Sequence, residues 1–114
     1  MEQNEKMVMI WTSGDKEVAL KMVFMYTLNS KKKGWWQDVT LVVWGPSAKL
    51  LSEDKELQDY LVKMKEEGVK LQACKACSDM YGVSDELEKM DIEVLFVGQT
   101  VTNYLKEGRK VLTV

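Results

Sequence analysis

Asp38-Val39-Thr40-Leu41-Val42-Val43-Trp44-Gly45-Pro46-Ser47 is the stretch that decides the fold of this chain. It is an apolar run of strand length without the alternation of a strand that keeps one face wet. Such a strand is buried on both faces, as in a parallel sheet with helices above and below. Gly45-Pro46-Ser47 ends it. Working outward, Met7-Val8-Met9-Ile10-Trp11 is a similar run, ended by Thr12-Ser13-Gly14-Asp15. Residues 69–73, residues 93–97 before Gly98, and residues 110–114 complete a set of five strand candidates.

Helical patterns fill the gaps. The longest covers residues 16 to about 32. Ser52 is the expected cap of the next, with Glu53, Asp54 and Glu56 in its first turn and Leu57, Tyr60, Leu61 and Met64 on its apolar face; Gly68 ends it. Residues 77–81 form a short piece. Ser84-Asp85-Glu86 starts another that carries Leu87 and Met90, and residues 100–107 form the last, ended by Gly108. Strand and helix alternate throughout. The expectation is a three-layer α/β sandwich: a mostly parallel five-stranded sheet with helices on both faces. Residues 1–6 read as a polar lead-in and 7–114 as one domain.

Composition narrows the function. Of the 114 residues, 46% are hydrophobic and 30% charged, which excludes disorder. A net charge of -2 argues against a nucleic-acid partner. No apolar run approaches the ~20 residues of a membrane span, and the N-terminus lacks a signal-peptide pattern, so the expected compartment is the cytoplasm. Histidine is absent, which removes Ser-His-Asp and Cys-His nucleophiles and histidine metal sites. There is no Gly-rich or Walker-type nucleotide loop, and no cofactor or metal is expected.

The chain has two cysteines, in Cys74-Lys75-Ala76-Cys77, where the third strand candidate meets a helix. A thiol there faces unpaired N–H groups and the positive end of the helix dipole, which favour thiolate. Lys75 adds a positive charge, opposed by Asp79. Residues three apart on a helix share a face. Three outcomes are open to the pair: an internal disulfide, a persulfide beside a resolving thiol, or two ligands of a metal. The plain alternative is two small buried hydrophobes. In parallel sheets function lies beyond the carboxyl ends of the strands. There the chain places Thr12, Ser13 and Gly14, then Gly45, Pro46 and Ser47, then Cys74, then Gly98 and Gln99. Ser13, Gly14 and Ser47 are candidates to hold an anionic group, although capping of the first helix by Ser13 or Asp15 is the preferred reading.

Helix residues 18–28 are apolar almost all round, so their outer side is expected to meet another subunit. Trp35 and Trp36 follow Lys31-Lys32-Lys33-Gly34 and read as staples of that turn.

In this order the sequence resembles the DsrE/DsrF-like sulfur-relay family over nearly its whole length. The resemblance is carried by the first strand with Thr12-Ser13-Gly14-Asp15, by Lys33-Gly34 leading into residues 38–45, by Ala73-Cys74-Lys75-Ala76-Cys77-Ser78-Asp79-Met80-Tyr81-Gly82-Val83, and by residues 105–112. It implies a sulfurtransferase-type carrier that takes a sulfane sulfur from a donor protein as a persulfide and passes it to an acceptor. The family's cysteine maps to Cys74. Cys77 lies outside the shared pattern and reads as an optional resolving thiol. The resemblance also implies a homo-oligomer, trimer or hexamer. Two alternatives stand beside it. One is a two-cysteine thiol oxidoreductase, although the lone Pro46 follows the second strand and the thioredoxin pattern is lacking. The other is a scaffold subunit with Cys74 as a relic.

Overall fold

The computed structural model describes residues 5–114. At its centre, β1 (Lys6–Trp11) and β2 (Asp38–Val43) pair in parallel from Lys6↔Asp38 to Trp11↔Val43, and β2 is buried at every position after Asp38. β3 (Lys70–Cys74) and β4 (Glu93–Leu95) extend the sheet beyond β2, while β5 (Lys110–Thr113) lies on the other side of β1. The order is β4-β3-β2-β1-β5, and each pairing is parallel. All five expected strands form. β4 is shorter than residues 93–97 because Val97 and Gly98 already belong to α7 (Val97–Lys106). The lead-in expected over residues 1–6 falls largely on residues 1–4, which lie outside the described residues; Lys6 is already paired in β1.

Topology assigns the faces. The steps from β1 to β4 all move the same way, so right-handed crossovers put their helices on one side. The step from β4 to β5 reverses across the whole sheet and puts α7 on the other. Packing agrees. Met7, Met9, Trp11, Val39, Leu41 and Val43 join the larger core, and Val8, Ile10, Val42 and Cys74 pack with Val97, Val101 and Tyr104.

On the first face, residues 16–32 form one helix built of α1 (Lys16–Val18), a π segment (Ala19–Phe24) and α2 (Met25–Lys32), capped by Asp15, which accepts from the Glu17 and Val18 N–H groups. The π segment shifts which residues face the sheet. Ala19, Val23 and Phe24 are buried there, and Thr27 and Ser30 after it. Phe24 meets Trp11 edge-on with ring centroids 4.8 Å apart, and Tyr60 at 5.2 Å. Much of the helix that looked apolar all round is therefore absorbed by the domain's own core. Met25 remains 47% exposed.

One boundary differs from expectation. Ser52 does not cap a helix; it lies in the last turn of α3 (Pro46–Glu53) and donates to the Lys49 carbonyl. The cap of α4 (Lys55–Glu66) is Asp54, which accepts from the Leu57 N–H. Pro46 starts α3, a helix that the expected elements do not include, and its missing N–H is no loss there.

The Tyr104 hydroxyl donates to Gln72 Oε1 at 2.8 Å in the buried layer under α7, and Gln72 Nε2 reaches Glu93. Tyr104→Phe keeps the ring and leaves that carbonyl oxygen without its donor. The expected loss is about 1–3 kcal/mol by denaturant titration; an unchanged midpoint would mean that α7 is not held at this point.

Candidate functional site: a paired thiol at the end of the third strand

β3 alternates its side chains between the two cores. Leu71 and Ala73 join the larger one, whereas Cys74 joins the layer beneath α7. Cys74 is both the last residue of β3 and the N-cap of α5 (Lys75–Tyr81), with extended φ -73 and ψ 115 and no capping bond from its side chain. Cys77 is the third residue of that helix. An N-cap side chain naturally lies over the third helical residue, which is why capping boxes link these positions. Here both positions carry sulfur. The two cysteines lie close together.

Both cysteines are free; Cys74 is buried at 5% exposure and Cys77 is half-buried. Partial burial pushes the Cys77 thiol up. The neighbouring Cys74 thiol pushes the same way, against the Gly45 backbone, which pulls it down. Gly45 takes φ +82 at the turn from β2 into α3, a conformation that favours glycine. Trp44 packs beside Cys77 against the same core.

The other expected residues divide. Lys75 is ion-paired with Asp79 at 3.2 Å. The Ser84 hydroxyl and then Lys75 hold the Asp79 carboxyl below its usual range. Ser47 is fully buried and its hydroxyl donates to the Trp11 carbonyl at 2.6 Å. Ser13 Oγ accepts from the Asp15 N–H, consistent with the capping reading, and Gly14 lies against Pro46. Thr12 and Ser13 also donate backbone N–H groups to the Val114 carbonyl, filling the switch point between β1 and β5. Of the crevice residues expected from sequence, Gly45 is the one whose backbone bears on the Cys77 thiol. Gly98 and Gln99 belong to α7 rather than to a loop.

The Gln72–Tyr104 bond behind Cys74 was not expected, although a glutamine inside an apolar strand was its visible signal. Phe96, one residue past the Cys74↔Leu95 pairing, is 64% exposed, and Met80 on α5 is 80% exposed. Among the described residues no group of three or more Cys, Asp or Glu residues is placed to hold a metal, and no helix is long and apolar enough to cross a membrane. A groove of about 760 Å³ lies at the opposite end of the sheet, lined by Lys65, Lys70, Glu88 and Asp91, away from the thiols.

Comparison with known proteins gives the same frame. The DsrE/DsrF-like family model matches residues 6–114. A conserved protein of unknown function from Bacteroides thetaiotaomicron is 35% identical, with a TM-score of 0.95 over 100% of this chain and 98% of that one. The ychN protein from E. coli (17% identical) and a protein of unknown function from Methanobacterium thermoautotrophicum (16%) each superpose with a TM-score of 0.73 over 96% of this chain and 98% of theirs, and share the fold. No curated protein matches.

Cys74→Ala removes the neighbouring thiol that raises Cys77. The pH midpoint for alkylation of Cys77 should then fall relative to the unsubstituted protein. An unmoved midpoint would show that the two thiols do not interact.

Proposed function

The chain belongs to the DsrE/DsrF-like family, and from that premise we propose that it is a sulfur-relay protein whose Cys74 carries a sulfane sulfur as a persulfide. The Cys74 thiolate attacks the outer sulfur of a donor persulfide; a new S–S bond forms and the donor leaves as its thiolate. An acceptor thiolate then attacks the outer sulfur of the Cys74 persulfide, and Cys74 leaves as thiolate. Thiolate attack carries both steps, so neither a metal nor a hydride carrier is required. The observation that supports this reading most is the position of Cys74 at the strand-to-helix junction, close to a second thiol.

Burial of Cys74 suits a carrier. A persulfide adds one S–S length, roughly 2 Å, and moves the reactive atom outward while the attachment sulfur stays sheltered. The partners are proteins that present a persulfide or a thiol on an accessible segment. The setting is a reducing cytoplasm, where both thiols stay free.

Loading is tested by intact mass after incubation with a small-molecule persulfide donor. Cys77→Ser should gain one sulfur atom, and Cys74→Ser should gain none. Loss of two hydrogens from the unsubstituted protein with no loading of Cys77→Ser would indicate a thiol oxidoreductase. No change in any variant would indicate a scaffold, and full loading of Cys74→Ser would move the nucleophile to Cys77.

We also propose a homo-oligomer, trimer or hexamer. A shallow groove of about 310 Å³ on the outer side of residues 16–32 is lined by Met22, Met25, Tyr26 and Trp35. Met25 and Trp35 are 47% and 53% exposed there. Met25→Asp should dissociate the assembly in sedimentation experiments; a monomeric mass for the unsubstituted protein at micromolar concentration would overturn this.

A further inference from the structure

We propose that Cys77 resolves the persulfide on Cys74 when no acceptor is docked, so that the protein releases the carried sulfur as sulfide and closes a Cys74–Cys77 disulfide. This rests on the sulfur-relay reading and adds a second fate for the same sulfur. The Cys77 thiolate attacks the inner sulfur, that of Cys74 itself. The bond from that sulfur to the outer one breaks, and the outer atom leaves with the electron pair as hydrosulfide. One persulfide and one thiol become one disulfide and one hydrogen sulfide. The sulfane sulfur is reduced to sulfide while the two cysteine sulfurs are oxidised, so no external oxidant is needed. A dithiol reductant then reopens the disulfide.

Three features of this chain carry the inference. First, Cys74 is the extended N-cap and Cys77 the third residue of α5, so the two side chains converge without unwinding the helix. A disulfide needs Cβ atoms about 3.5–4.5 Å apart, closer than the roughly 5–6 Å of a regular helical i, i+3 pair. Cys74 lies outside the regular helix, with extended torsions, so its Cβ is not held to that spacing. Second, Cys77 lies close to Cys74 before any loading and packs against the same cluster as the Cys74 sulfur. That atom becomes the inner sulfur of the persulfide, and the added atom extends away from it, so inner attack is favoured over a shuttle of the outer sulfur to Cys77. Third, Cys77 is half-buried and holds its proton, which keeps its thiolate scarce and leaves the persulfide time to meet an acceptor.

The experiment loads the full chain anaerobically with a small-molecule persulfide donor, removes the donor, and follows both sulfide release and intact mass without an acceptor. The unsubstituted protein should release sulfide as its mass falls from one added sulfur to two hydrogens below the reduced chain. Cys77→Ser and Cys77→Ala should both load and hold the sulfur at least about tenfold longer, since an intramolecular thiol has a large proximity advantage over an external one. Equal lifetimes in the three proteins, or sulfide release without the disulfide, would overturn the inference while leaving the relay intact. Failure of both Cys77 variants to load would instead overturn the relay reading, and this inference with it.

Discussion

One helix has to cover an entire face of the sheet, and the remaining architecture depends on that constraint. The chain leaves β4 at one edge and must return to β5 at the other, four strand spacings away. At about 4.8 Å per spacing this is roughly 19 Å. The ten residues of α7 span about 15 Å at 1.5 Å per residue, and the turn before β5 supplies the rest. A helix so close to the minimum length has little freedom of position. The buried Tyr104–Gln72 bond pins its later turns against β3, the strand that ends in Cys74. The layer that shelters the thiol is thus fixed by the same contact that seats the return crossover.

At the thiols, opposing effects can be ranked. Burial pushes the Cys77 thiol up and the neighbouring Cys74 adds to it; the Gly45 backbone acts against both without reversing them. Lys75, the obvious electrostatic activator on sequence grounds, is engaged one turn along the helix with Asp79, which is itself held by Ser84. Activation by a neighbouring cation is therefore weak here. On Cys77, burial and the neighbouring Cys74 hold the proton in place.

Much of the architecture was legible from the residues. The non-alternating runs at residues 7–11 and 38–44 could satisfy a sheet only if both faces were covered, and all five strands stand where apolar patterning placed them. Ends of elements were less legible. Glu53, Asp54 and Glu56 fit a cap at Ser52 or at Asp54 equally well by composition, and only the turn between α3 and α4 selects Asp54. The apolar helix 18–28 was legible as unusual but not as mostly buried, because the π segment that turns more of it toward the sheet has no signature in residue type.

By itself the sequence determined the layer architecture, since hydrophobic periodicity is a local property, and it determined that any thiol chemistry must reside in Cys74 and Cys77, since the chain has no others. Tertiary structure alone decided which crevice residues reach them. Ser13, Gly14 and Ser47 were equivalent to Gly45 as loop residues at strand ends, but Ser13 accepts from the Asp15 N–H, Gly14 lies against Pro46, Ser47 donates to the Trp11 carbonyl, and Gly45 bears on Cys77. That choice depends on backbone torsions and on contacts between residues distant in sequence, such as Ser47 with Trp11, which no local pattern encodes.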